Sequence, residues 1–269
     1  MNRKIVYPVL SIAGSDCSGG AGIQADIKTI SAHGCYAMAA ITSLTAQNTT
    51  GVSAVEGVSP RMVSEQIQMI FADIRPLAVK TGMLYSADIV SEVAETLARN
   101  RVDNLVIDPV MVSTSGSRLI AEDAIETMVN KLFPLAGLVT PNRMEAEVLS
   151  GETDPQLQAK KLIALGCRAV LIKGGDSSDD DFKSDLLMTS DGKMEYFRLP
   201  AVDTPNTHGT GCTLSSAIAS NLAKGMTLCR AVSEAKNYVY NAIVSGARHR
   251  IGHGHGPVDH FYQTDFRCG

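Results

Sequence analysis

Short apolar, β-branched runs alternate with amphipathic stretches along most of this chain, and few folds accommodate that alternation. The runs cover residues 5–13, 36–44, 77–79, 105–107, 138–139 and 169–172. A strand buried on both faces reads as a continuous apolar run, and parallel strands need a crossover helix between them. The pattern predicts an α/β fold with a mostly parallel sheet covered on both sides. Helix signals agree: Gly34 closes a helix beginning near Ile23, and Ser59-Pro60 opens another. Ser86 opens a third, whose Ile89, Val90, Val93 and Leu97 share a face. Residues 185–190 and 194–199 flank Asp191-Gly192-Lys193, a turn that predicts one antiparallel hairpin near an edge. From Thr210 onward the chain reads as helical, with a break at Gly225. No Pro/Ser-rich or charged linker divides the 269 residues, so one domain spanning 1–269 is expected.

Charge and cysteine usage exclude several classes of partner. A net charge of −4 with scattered Lys and Arg supplies no basic field for nucleic acid. The apolar run at 5–13 falls far short of the roughly 20 residues a membrane span needs, so it reads as a buried strand of a cytoplasmic protein. The cysteines at 17, 35, 167, 212, 229 and 268 form no C-x-x-C pair and no zinc-ligand spacing. They are expected to be reduced and mostly buried fillers, with Cys212 the exception.

In parallel sheets, ligands bind beyond the carboxyl ends of the strands. The residues following the runs here are polar or glycine-rich: Gly14-Ser15-Asp16 with Ser18-Gly19-Gly20-Ala21-Gly22, then Lys80-Thr81-Gly82-Met83, Asp108-Pro109-Val110-Met111, Thr140-Pro141-Asn142 and Lys173-Gly174-Gly175-Asp176. A parallel sheet would align all of these clusters on one edge and make a site there. Gly20-Ala21-Gly22 followed by Ala25 matches a permissive dinucleotide pattern, but no acidic residue lies between Asp26 and Glu56 to hold a ribose. Nor is there a G-x-x-x-x-G-K-[ST] loop.

The stretch Asp203-Thr204-Pro205-Asn206-Thr207-His208-Gly209-Thr210-Gly211-Cys212-Thr213 is a flexible loop feeding a helix N-terminus. Amides bared by Gly209 and Gly211, with the positive end of the helix dipole, form a site for a transferring phosphoryl group. Cys212 would then carry a lowered thiol pKa. The same residues also read as a glycine-rich turn with a buried Cys capping the helix, and physics alone leaves both readings open.

Resemblance separates them. Ile12-Ala13-Gly14-Ser15-Asp16, the stretch from Gly19 to Lys28, Thr45-Ala46-Gln47-Asn48-Thr49, Val79-Lys80-Thr81-Gly82-Met83, Asp108-Pro109-Val110-Met111, the Cys212 stretch and Gly254-His255-Gly256-Pro257-Val258 occur in one order. Together they resemble the hydroxymethylpyrimidine/phosphomethylpyrimidine kinases. The resemblance implies a ribokinase-like three-layer αβα sandwich, MgATP as phosphoryl donor, a homodimer, and phosphorylation of 4-amino-5-hydroxymethyl-2-methylpyrimidine and its monophosphate.

It also assigns roles. Cys212 is the implied catalytic base, with the amides of Gly209, Thr210, Gly211 and Cys212 as the anion hole. Asn142 and Glu145 at a helix start are to organise Mg²⁺, with Asp108 adding to the magnesium or phosphate environment. Lys173 and Thr207 are to meet the nucleotide. Gln47 presents an amide that matches an aminopyrimidine edge, Asp26 is to bind the hydroxymethyl group, and Gly14, Met83 and Val110 are to enclose the ring. The loop at 114–118 departs from its relatives, which leaves nucleotide contacts there open. His253 and His255 are assigned no metal. The runner-up is a pyridoxal kinase with the same Cys motif, and from another class a non-catalytic nucleotide-binding module.

Overall fold

In a computed structural model that describes residues 5–111, 120–174 and 181–264, the alternating runs build one nine-stranded sheet in the order β3-β2-β1-β4-β5-β6-β7-β8-β9. The central strands are β1 (Pro8–Asp16), β2 (Tyr36–Asn48), β4 (Ala78–Thr81), β5 (Leu105–Ile107), β6 (Leu138–Val139) and β7 (Ala169–Ile172). They run parallel from β2 through β1 to β7. The expected hairpin is present at one edge, as β8 (Phe182–Thr189) and β9 (Met194–Pro200).

The other edge differs from expectation. The second strand runs on to Asn48 and returns as an antiparallel β3 (Gly51–Gly57). That strand was missed because none of its residues is fully buried and so it lacks the apolar alternation that marks a strand with one face in the core. The first strand starts at Pro8, not Ile5, and continues through the Gly14-Ser15-Asp16 cluster, with an irregularity in its pairing between Ala13 and Ser15. Its final residues still pair with β2, so the first polar cluster lies on a strand end and not in a loop.

Adjacent residues of the strands serve opposite layers. Leu10 and Ile12, Leu105 and Ile107, Val139, and Val170 and Ile172 join one buried cluster. Val9, Val106, Leu138, Ala169 and Leu171 join the other. The first layer is completed by α2 (Pro60–Asp73), α3 (Ala87–Asn100), α4 (Glu122–Thr127), α5 (Arg143–Ser150) and α6 (Pro155–Ala164). The second is completed by α1 (Gly22–Ala32), α7 (Thr210–Ala223) and α8 (Leu228–Gly246). A sheet buried this way on both faces is the three-layer α/β architecture read from the runs.

Local chemistry sets the helix starts. Ser59 and Ser86 accept hydrogen bonds from the Met62 and Ile89 amides, and Pro60 occupies the first turn of α2. The chain reverses at Gly34 and Gly225, both at positive φ. The start of α7 is different: Gly209 sits at φ 80 and no side chain caps the helix. Among the described residues no helix is long and apolar enough to cross a membrane.

Candidate active site

The parallel register brings the polar clusters to one edge, where α7 begins against them. The loop before α7 and the loop after β1 touch backbone to backbone. A Cβ on Gly209 would lie 1.9 Å from the Gly20 carbonyl oxygen, so both its positive φ and its surroundings require glycine. Gly22, at φ +56, likewise has no room for a side chain beside the Gly14 carbonyl. Its amide donates to the Cys212 sulfur.

Cys212 is half-buried in the first turn of α7. First-turn amides have no carbonyl four residues back to bond, which leaves those of Gly211 and Cys212 to face an anion. The Thr210 amide is used differently: it donates to the Thr207 carbonyl at 3.2 Å, and the Thr210 hydroxyl donates to the same oxygen at 2.7 Å. The Thr210 amide is therefore lost from the expected hole, and of the other three those of Gly211 and Cys212 lie in the first turn of α7. Thr207 itself is exposed at the lip.

The thiol contradicts the expected lowered pKa. Burial is the strongest influence and raises it to about 11; Lys80 and the Gly22 amide pull it down, while Asp26 and Asp108 push it up. Helix-end polarity is outweighed because the sulfur lies where a thiolate would lose most of its hydration.

Two lysine–aspartate pairs flank this position. On one side Lys80 Nζ lies 2.8 and 3.0 Å from the two carboxylate oxygens of Asp26, and both side chains are 0% exposed. Ser11 and Ser216 donate to Asp26 at 2.5 and 2.8 Å. Burial acts to lower the Lys80 ammonium, but Asp26, Cys212 and Asp108 more than reverse it and hold it above the usual lysine range. Asp26 was expected to touch the acceptor hydroxymethyl group. Its carboxylate is instead enclosed and fully engaged beneath the site, because α1 turns this residue toward the sheet along with Ile23, Ala25, Thr29 and Ile30.

On the other side Lys173 Nζ lies 2.9 Å from Asp108 Oδ1, with side chains 14% and 1% exposed. Burial works against the Lys173 ammonium, and Asp108 and Glu145 overcome it and raise it. Lys173 and Asp108 both border Gly211: a Cβ there would lie 3.2 Å from Lys173 Nζ and 3.5 Å from Asp108 Oδ2. Ser215, one turn into α7, donates to Asp108 Oδ2 at 3.4 Å.

Asn142 and Glu145 form a capping box at the start of α5. The Glu145 amide donates to Asn142 Oδ1 at 2.8 Å, and the Asn142 amide returns a bond to Glu145 Oε2 at 2.9 Å. The Met111 amide reaches Glu145 Oε1 at 3.4 Å. Burial foremost, with Asp108 adding and Lys173 opposing, raises the Glu145 carboxyl. The buried carboxylates of Glu145 and Asp108, gathered about Lys173, are the hard oxygen donors that suit Mg²⁺ bound together with phosphate oxygens.

The acceptor side is assembled from β1, β2 and the loop after β4. Met83 is buried, and its carbonyl accepts from the Gly14 amide at 3.1 Å and from Thr42 Oγ1 at 2.6 Å. Val110 is half-buried after β5. Gln47 stands near the end of β2 with its amide oxygen 3.3 Å from Thr45 Oγ1.

Sequence reasoning assigned nothing to His208, Asp16 or Lys80. His208 Nε2 lies 2.9 Å from Asp16 Oδ2 and 3.4 Å from Gln47 Nε2, which ties the phosphoryl loop to the acceptor side chain. Burial acts to raise the Asp16 carboxyl, but hydrogen bonds from His208, Ser18 and Ala21 outweigh it and hold it at about 2. The available signals were a lysine directly after an apolar run and an aspartate closing the first strand ahead of a glycine-rich loop. Of the cysteines, Cys35 and Cys167 are buried fillers as expected, whereas Cys17 is exposed and Cys229 half-buried. Residues 114–118, Gly175-Asp176 and Cys268 lie outside the described residues.

The phosphomethylpyrimidine kinase family model matches residues 16–259. A hydroxymethylpyrimidine/phosphomethylpyrimidine kinase of Rhizobium meliloti is 47% identical over 262 residues, covering 94% of this chain and 97% of that protein. Its Escherichia coli counterpart is 44% identical over 259 residues, again covering 94% and 97%. Among solved structures, the phosphomethylpyrimidine kinase of Clostridium difficile superposes with a TM-score of 0.78 at 42% identity, covering 88% of this chain and 99% of that one. A Staphylococcus aureus pyridoxal kinase in complex with AMP-PCP and pyridoxal gives 0.88 at 32% identity, covering 98% and 96%. With the family model spanning all but the ends, and with the sheet of ribokinase-like kinases in place, the chain belongs to the phosphomethylpyrimidine kinase family.

Proposed function

We propose that this chain transfers the γ-phosphoryl group of ATP to 4-amino-5-hydroxymethyl-2-methylpyrimidine and to its monophosphate. The observation that supports the proposal is Cys212 in the uncapped first turn of α7, beside the Gly22 amide and under the influence of Asp108, which pairs with Lys173. On this reading Gly14, Gln47, Met83 and Val110 make the acceptor side, and Lys173, Asp108 and Asn142 the donor side. Phosphoryl transfer asks a protein for positioning, charge neutralisation and a base. Gln47 orients the ring, and Met83 and Val110 exclude water from it. The amides of Gly211 and Cys212 receive the charged phosphoryl oxygens, and Lys173 neutralises the nucleotide phosphates. Mg²⁺, held by Glu145 and Asp108, would supply further charge neutralisation. Cys212, in its thiolate form, takes the proton of the acceptor hydroxyl and is left as the neutral thiol.

The reading extends to a single kinase domain over 1–269 working as a cytoplasmic homodimer, which light scattering would test. Pyridoxal is the competing acceptor, because the S. aureus pyridoxal kinase overlays so fully. The deciding experiment incubates the protein with MgATP and, separately, the pyrimidine alcohol, its monophosphate and pyridoxal, with products identified by mass. Pyrimidine mono- and diphosphate are the expected products. Pyridoxal phosphate alone, or no product, overturns the proposal.

A further inference from the structure

The glycine-rich segment 251–258 belongs to no helix or strand, and no step of phosphoryl transfer uses it. It nevertheless makes an unusual number of backbone bonds to two separate parts of the site. On one side it holds the tip of the β2–β3 hairpin. Thr49 Oγ1 accepts from the His253 and Gly254 amides, each at 3.2 Å, and the Thr49 carbonyl accepts from the His255 amide at 2.9 Å. A Cβ on Gly254 would lie 2.0 Å from the Thr49 carbonyl oxygen, so this contact exists only with glycine there.

On the other side the segment holds the loop that leads to Cys212. The His208 amide donates to the Gly256 carbonyl at 3.0 Å, and His208 pairs with Pro257 in a short parallel bridge. Asn206 Nδ2 donates to the Gly246 and His249 carbonyls, both at 2.8 Å, which anchors the same loop to the end of α8. His255 Nδ1 lies 3.2 Å from the Pro205 carbonyl.

Thr49 follows Gln47 by two residues, and His208 precedes Cys212 by four. The segment therefore spans from the residue that reads the acceptor to the turn that receives the phosphoryl group, outside the sheet and independently of it. We propose that residues 252–257 are a clasp that fixes the separation of Gln47 from the Cys212 loop, and that Thr49 is the positioning residue through which the clasp acts. This rests on the function proposed above, in which Gln47 holds the acceptor. Misplacing reacting groups by about 1 Å costs on the order of 10²-fold in rate, so a clasp of this kind sets turnover without touching substrate.

The test compares Thr49→Val, which keeps the shape but loses the accepting oxygen, with Thr49→Ser, which keeps the oxygen. Thr49→Val is expected to raise the acceptor KM and lower kcat by roughly tenfold, with the ATP KM and melting temperature unchanged; Thr49→Ser restores both. Wild-type acceptor kinetics in Thr49→Val overturn the proposal, as does a loss that Thr49→Ser fails to restore. A readout without turnover separates this from failure of the functional reading. Amide hydrogen exchange of Thr49→Val is expected to quicken in the peptides carrying Gln47 and residues 206–212 together. Quickening confined to 252–256 overturns the clasp even if the kinase activity stands.

Discussion

The two lysine–aspartate pairs beside Cys212 are alike in chemistry and differ in the exposure of the lysine. Lys80 and Asp26 are sealed at 0%, whereas Lys173 keeps 14% of its side chain at the surface. A sealed pair has no route to a ligand. Its carboxylate is already engaged by Ser11 and by Ser216, which stands one turn beyond Cys212 on the same face of α7, so it locks that helix against β1 and β4. The open pair borders Gly211 and the Glu145 carboxylate, the place the proposed function gives to phosphate and metal. In the function proposed above, the sealed pair positions the base and the open pair serves the donor. Burial, more than residue type, separates the two pairs.

The largest effect expected to sharpen this contrast is on stability. Lys80→Met leaves Asp26 buried without its partner and should cost about 3–5 kcal/mol in urea unfolding, whereas Lys80→Met combined with Asp26→Asn should recover much of it. A loss below about 1 kcal/mol for the single variant would break the contrast. Lys173→Ala should do the reverse. It should cost less stability than Lys80→Met, because water can enter where the partly exposed Lys173 stood, yet lose on the order of 10²-fold in kcat/KM for ATP, with the acceptor KM little changed. Equal losses for both substrates would remove Lys173 from the donor side.

A smaller effect distinguishes the pairs through the thiol. With its pKa raised to about 11, Cys212 has roughly 1 thiolate in 10⁴ at pH 7, and the fraction grows as pH rises. Its alkylation by iodoacetamide, followed by mass alongside exposed Cys17, should therefore quicken about tenfold per pH unit up to pH 10. A plateau below pH 9 contradicts the burial argument. Loss of Lys80, the strongest charge drawing the thiol down, should slow alkylation more than loss of Lys173.

The architecture was legible because it rests on period and length: runs apolar on both faces can only be central strands, and 105–107, 138–139 and 169–172 match β5, β6 and β7 residue for residue. The clusters at the strand ends were legible for the same reason. What escaped was whatever depends on a distant partner. Asp26 reads as a polar helix residue until Lys80 meets it across 54 positions, and His208 reads as a loop residue until Asp16 meets it across 192. The Cys212 thiol was misjudged because a helix start is visible in sequence, while the desolvation that dominates it comes from neighbours that are not. β3 was missed because an exposed edge strand carries little apolar pattern.

The central claim is that Cys212, between the two pairs, accepts the proton in transfer. Its most direct test is Cys212→Ala, with kcat measured at saturating MgATP and pyrimidine alcohol and acceptor binding measured separately. The expected result is a fall in kcat of about 10²–10⁴-fold with acceptor affinity retained. A variant that keeps near wild-type kcat would contradict the claim and leave the helix-end amides and the donor-side charges to carry the transfer alone.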